Sequence, residues 1–252
     1  MYTHEILLVA ISVFFMLLYV FSKREIAGFT GWLFFALLCA VKVPEYIAGE
    51  DYYNTGVFAL ASAFFAVLAY SILRNNSQVF LDVTSFSALA CLIYFPFAID
   101  ATLNAWIIDT TAILTAKLGN LLGYSMIAEG KMVYLEKHAV EIILPCTAIE
   151  SISLFAGATL GIRAAINRKI AAFLISVPVI YILNLIRNIF VILSFTYSWF
   201  GDNSFYIAHH IIAKIFSTLA LILIAYAVFR FLPELAELIY SLKDEIEKGV
   251  RS

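Results

Sequence analysis

Three residues in this sequence could together do covalent chemistry at a carbonyl: Cys146, Arg187 and His209. In such a set the thiolate attacks, the imidazole carries a proton to the leaving amine, and the guanidinium hydrogen-bonds the developing oxyanion. Cys146 follows Pro145 in the segment EIILPCTAIESISLFAGATLG, where a charged stretch gives way to a long apolar run. Proline suits a helix start because the first N–H groups have no intrahelical partner. Cys146 is therefore expected in the first turn of a membrane helix, whose electropositive end favours a thiolate. Arg187 stands inside another apolar run, where an arginine is costly and functional by default. Glu150 lies one turn beyond Cys146 on the same face of the expected helix, and either orients Arg187 or takes part in the chemistry. His210, beside His209, competes for the same role, and Asn184 is a supporting candidate. Cys39 and Cys91 fall within apolar spans and are read as packing residues.

The elements that must position these groups are membrane helices. The chain has 252 residues, of which 63% are hydrophobic and only 13% charged. Its mean hydropathy is +0.95, whereas a soluble domain is about half apolar. The expected fold is an all-α polytopic membrane protein of about seven transmembrane helices, with an outer-side interfacial helix and a short hairpin. No basic block suggests nucleic acid, and three irregularly spaced cysteines suggest neither a disulfide framework nor a zinc site. No phosphate loop or HExxH motif is visible, so no cofactor and no metal are expected. The first apolar run lacks a basic leader and a small-residue cleavage site and is read as a retained helix.

Taken in order, spans are expected over residues 6–21, 27–43 (closed by Pro44), 55–73, 79–99, 146–162, 170–195 and 207–229. Residues 101–124 are apolar but interrupted by Asn104, Asp109, Lys117 and Asn120, which predicts an interfacial helix. Residues 126–143 read as two short extended pieces turning at Gly130. The whole chain, 1–252, forms one integral membrane domain on this reading. It divides into four N-terminal spans (1–99), an outer segment (100–145), a catalytic three-helix core (146–229) and a cytoplasmic amphipathic tail (230–252).

Lys23, Arg24, Arg74, Arg163, Arg168, Lys169 and Arg230 fall on one side of a seven-span arrangement, which makes that side cytoplasmic and leaves the N-terminus outside. Arg187 is then roughly 25 Å along the sixth span, in the outer part of a hydrocarbon core about 30 Å thick. Cys146 opens the fifth span, and His209 and His210 open the seventh, at that same outer depth. The site is therefore expected near the extracytoplasmic face.

The PCTAIES segment around Cys146, the NLIR segment ending at Arg187 and the AHH segment ending at His210 resemble the exosortase/archaeosortase family. The resemblance covers roughly residues 79–229, and the short chain is more like an archaeal member. It implies a membrane-embedded cysteine transpeptidase acting on exported proteins that carry a C-terminal sorting helix. It implies cleavage near that signal and transfer of the new C-terminus to a membrane lipid or another acceptor. It carries the nucleophile to Cys146, the arginine to Arg187 and the third residue to His209, with His210 as the alternative. The family often has glycine four residues beyond the histidine, where this chain has Ala213. Two rival readings share these residues: a cysteine peptidase that hydrolyses the signal, and a transporter with Arg187 in an anion path.

Overall fold

The computed structural model describes residues 3–251. Six of its helices are long and apolar enough to cross a membrane. They lie in α1 (Thr3–Ser22), α2 (Glu25–Ala48), α3 (Tyr52–Arg74), α4 (Gln78–Ile99), α7 (Ile166–Thr196) and the stretch that ends in α9 (Ala213–Phe231). Between these come α5 (Ala101–Leu121), three short strands, and α6 (Ile149–Leu160). The three-residue helix α8 (Ser204–Tyr206) precedes α9, and α10 (Pro233–Arg251) ends the described chain. The protein is thus an all-α polytopic membrane protein.

The expected fifth span is much shorter than read. Pro145 and Cys146 lie in a 3-10 turn, Leu144–Thr147, and Ala148 follows in the left-handed region (φ 60°, ψ 11°). The α-helix begins only at Ile149 and stops before Gly161. Its 12 residues rise about 18 Å, well short of a bilayer core of about 30 Å. Pro44, expected to close the second span, lies inside α2, which runs on to Ala48. The expected hairpin is a three-stranded antiparallel sheet, β1 (Met126–Glu129), β2 (Met132–Leu135) and β3 (His138–Glu141), in the order β1-β2-β3. Both of its turns use a left-handed residue, Gly130 (φ 55°) in the first and Glu136 (φ 54°) in the second. A glutamate gives no sequence signal for such a turn, so the third strand was not legible.

The chain gathers into two compact units. One holds the residues up to Leu92, Leu160–Ala164 and the tail from Pro233. Here α2 packs against α1 and α3. An added Cβ at Gly28 would meet Tyr19 and Ile72 at 2.9 Å, and one at Gly31 would meet the Met16 backbone at 2.8 Å. Ser12 Oγ donates to Gly31 O (2.8 Å), and Trp32 Nε1 donates to Thr84 Oγ1 (2.9 Å). These bonds satisfy polar atoms that lipid would leave bare. Glu5, fully buried, is ion-paired with Lys42, which also meets Glu45 at 2.9 Å. The tail helix α10 packs on α3, where Asn75 Nδ2 donates to Glu245.

The other unit comprises Ile93–Thr159 and Ala165–Leu232. Its core is a single apolar cluster: Ala112 and Ala116 of α5, Met126, Val133, Leu135 and Val140 of the sheet, and Ile189, Ile192 and Leu193 of α7. The polar residues that interrupt α5 are put to use. Asn104 donates to Phe97 O (2.8 Å), and Asn120 exchanges two hydrogen bonds with the Met126 backbone, at 2.9 and 2.6 Å. The second pair locks β1 onto the end of α5. Lys131 and Glu141 pair across the sheet at 2.6 Å. The sheet thereby fixes where the chain enters the Cys146 turn.

Candidate active site

The turn that carries Cys146 is bonded at every step. The Cys146 N–H donates to Ile143 O (2.7 Å). Thr147 Oγ1 donates to Leu144 O (2.7 Å) and accepts from the Ile149 N–H (3.3 Å). The left-handed Ala148 interrupts the helical ladder, so the Cys146 carbonyl takes its donors from α7 instead. Asn184 Nδ2 donates to it at 2.7 Å and Asn188 Nδ2 at 3.0 Å. Both asparagines are buried, where an unmade bond to a carbonyl is expensive. Cys146 itself is 7% exposed and belongs to the apolar cluster with Ile189 and Ile192.

Arg187 sits in the same turn of α7 as these two asparagines. It lines a cavity of about 730 Å³ bounded by α7, α9 and the residues flanking Cys146, namely Pro145 and Ala148. Asn184, Lys214, Ser151 and Ser217 add polar atoms to walls that are otherwise apolar. Among the described residues no carboxylate pairs with Arg187 or Lys214. Glu150 does not reach Arg187. It is exposed, and Tyr94 Oη donates to it at 3.5 Å. Nor does Glu150 share a helix with Cys146, since Ala148 separates the two.

His209 and His210 lie in a π-helical segment, Ile207–Ile212, that runs directly into α9. Such wide turns recur at functional sites because they re-aim side chains. His209 is half-buried and stacks on Phe205 (5.4 Å, 12° between planes). Phe205 meets Phe195 of α7 edge-on at 5.7 Å, and Phe195 meets His138 of β3 at 5.2 Å. A row of rings thus ties the π segment to α7 and the sheet. Arg187, His210 and Lys214 all lie within electrostatic reach of His209. His210 is exposed and packs on Tyr206. Ala213 is 2% exposed and lines the cavity.

Arg187 and His209 are therefore close, and Cys146 is joined to the turn of α7 that bears Arg187. No hydrogen bond links the Cys146 thiol directly to either group. Among the described residues no three of His, Cys, Asp and Glu gather as a metal-binding group. Sequence reasoning passed over Asn188 and Lys214. The i, i+4 spacing of Asn184 and Asn188 was a usable signal, because it places both amides on the helix face that carries a neighbouring arginine. Lys214, one turn beyond His210 in an apolar run, was a second intramembrane cation of the same kind as Arg187.

Archaeosortase A of Haloferax volcanii is 28% identical over 244 residues, covering 82% of this chain and 80% of its own. Archaeosortase A of Natronomonas pharaonis is 25% identical over 253 residues, covering 86% and 78% respectively. No solved structure matches the chain. The family model described as Transmembrane exosortase matches residues 1–226. With nine-tenths of its length so matched, the chain belongs to the transmembrane exosortase family.

Proposed function

We propose that this chain is a cysteine transpeptidase that cuts a C-terminal sorting signal from exported proteins and passes the new C-terminus to a membrane lipid. Family membership makes it a membrane-embedded processing enzyme of the archaeosortase type. The observation that carries the finer reading is the pair of bonds from Asn184 and Asn188 to the Cys146 carbonyl, which bracket Arg187 on one turn of α7.

In this reading the Cys146 thiolate attacks the scissile carbonyl of the substrate. Arg187 donates to the oxyanion as it forms, a contribution worth roughly 10²–10³ in rate for such donors. His209 gives a proton to the leaving amine, and the tetrahedral adduct collapses to a thioester on Cys146. The acceptor's nucleophilic group then loses its proton to His209, attacks the thioester and releases the thiolate, which restores the starting pair. His209 suits this role better than His210, because it is half-buried within electrostatic reach of Arg187 while His210 is exposed. Asn184 and Asn188 hold the nucleophile's backbone. In this reading the acyl transfer takes place near the extracytoplasmic face, because the proposed substrates are exported proteins.

The test is co-expression with a tagged exported substrate bearing a C-terminal sorting helix, comparing wild type with Cys146→Ala by intact mass of the substrate. A shortened, lipid-bearing product that vanishes in the variant is expected. A shortened product with a free carboxyl end would replace transfer by hydrolysis. Processing that survives the variant would remove Cys146 from the mechanism.

A further inference from the structure

The cavity beside Cys146 has a polar end and an apolar end. Along α7 it runs from Phe190 and Arg187 down to Ile180, and along α9 from Lys214 down to Leu221 and Ile224. That length is about 15 Å at 1.5 Å per residue. Both cations lie at the end near Pro145 and Ala148, while Leu183, Ala220 and Ile224 line the rest. Two cations in membrane helices without a carboxylate partner among the described residues call for an anion, since an uncompensated charge is costly there.

We infer that this cavity binds a phospholipid, with its phosphate held by Lys214 and Arg187 and one hydrocarbon chain lying along α7 and α9. Charge decides between a lipid and an apolar substrate helix: the two cations gathered at one end of the cavity call for an anion, which a lipid phosphate supplies and such a helix lacks. An extended peptide would fit the width but bring backbone amides that need partners. One amide hydrogen of Asn184 goes to the Cys146 carbonyl and the Thr218 hydroxyl to Lys214 O, so Ser151 and Ser217 are the chief remaining neutral partners on otherwise apolar walls. A hydrocarbon chain asks for no hydrogen bonds. Lys214 is the specificity element: it is exposed, lies beside His209, and has none of Arg187's proposed work at the oxyanion. A phosphate held there puts the lipid headgroup next to the acyl-enzyme.

The use of this lipid as acceptor rests on the proposed function, but its binding can be read without turnover. The full-length Cys146→Ala protein in detergent is exposed to a dialkyl glycerophosphate carrying a diazirine in one chain. Photolabelling is then mapped by peptide mass. Label on peptides of α7 and α9 is expected. It should fall about tenfold in Lys214→Gln, the loss of one charge-assisted hydrogen bond, and return in Lys214→Arg. Leu221→Trp, which fills the apolar end, should also remove it, and a neutral dialkylglycerol probe should label weakly. Size-exclusion profiles check that each variant is folded. Equal labelling of Lys214→Gln and its parent would overturn the inference, as would equal labelling by the neutral probe. Full displacement by inorganic phosphate, with Leu221→Trp still labelled, would reduce the site to one for free anions and overturn the lipid. Failure of the Cys146 chemistry leaves all these outcomes unchanged. If that chemistry holds, Lys214→Gln should lose the lipid-bearing product while the substrate is still cut.

Discussion

Lys42 and Arg187 are both cations set into apolar helices of this protein, and their surroundings differ. Lys42 of α2 meets two carboxylates, Glu45 and the fully buried Glu5. Arg187 of α7 meets none among the described residues, and faces a cavity and a histidine instead. A cation whose charge is answered within the fold is a structural element. A cation left facing open space keeps its interaction energy for something that arrives later, which is what transition-state stabilisation requires. The contrast separates stability from chemistry, and it can be broken by substitution.

The largest effect expected is on Lys42. Lys42→Met leaves Glu5 buried without its cation and should cost about 3 kcal/mol, while the processing rate per folded molecule stays unchanged. Thermal unfolding and product yield, measured on one preparation, check both halves. Adding Glu5→Gln should recover most of that loss, since removing both partners of a buried pair is close to neutral. Arg187→Gln should show the reverse pattern: processing falls about a hundredfold, worth roughly 2.7 kcal/mol of barrier, and the melting temperature does not drop. A melting temperature that fell with Arg187 and a rate that fell with Lys42 would invert the comparison.

A smaller effect is expected from the clamp on Cys146. Asn184→Leu or Asn188→Leu alone leaves one donor and should cost about 1 kcal/mol. The double variant leaves the carbonyl bare and should cost about 2–3 kcal/mol in total. In a Cys39→Ala, Cys91→Ala background, maleimide should modify Cys146 slowly in the parent and faster in the double variant, as the turn loosens. The smallest effect concerns the exposed Lys131–Glu141 pair. Hydrogen bonding to Glu141, reinforced by its charge, holds the Lys131 ammonium above the ordinary lysine range. A raised lysine contributes stability that is present below its unfolded value and lost as pH rises through the folded one. The melting temperatures of wild type and Lys131→Met should therefore differ slightly near neutrality, and converge in strongly alkaline, or concentrated salt, solution.

Much of this was legible in the sequence where a single physical rule dominates. Continuous apolar runs gave the long spans, because backbone polar groups in lipid must close within a helix. Arg187 stood out as a charge costly to place in an apolar run, and Cys146 and His209 as groups expected at its depth. What stayed hidden depends on local exceptions. Nothing in the residue type marks Ala148 as left-handed, so the delayed start of α6 could not be read. Pro44 was taken as a stop, yet a helix among other helices carries it through. The partner of Glu150 is Tyr94, 56 residues away, and sequence separation of that kind is set by packing alone. Asn188 was visible as a polar residue, but its bond to Cys146 depends on where α6 ends and α7 passes.

The π segment at Ile207–Ile212 changes how this protein can be compared with others. A wide turn holds about one residue more than an α-helical turn. Each residue of an ordinary helix advances by about 100°. The histidine end and the lysine end of the last span are therefore out of phase by that amount, although the sequence between them runs on without interruption. Counting fours from His209 down to Ala213 compares positions on different faces. Motif spacing across this junction is a property of the backbone's winding, and a relative that lacks the extra residue would present the same face with its histidine one place nearer.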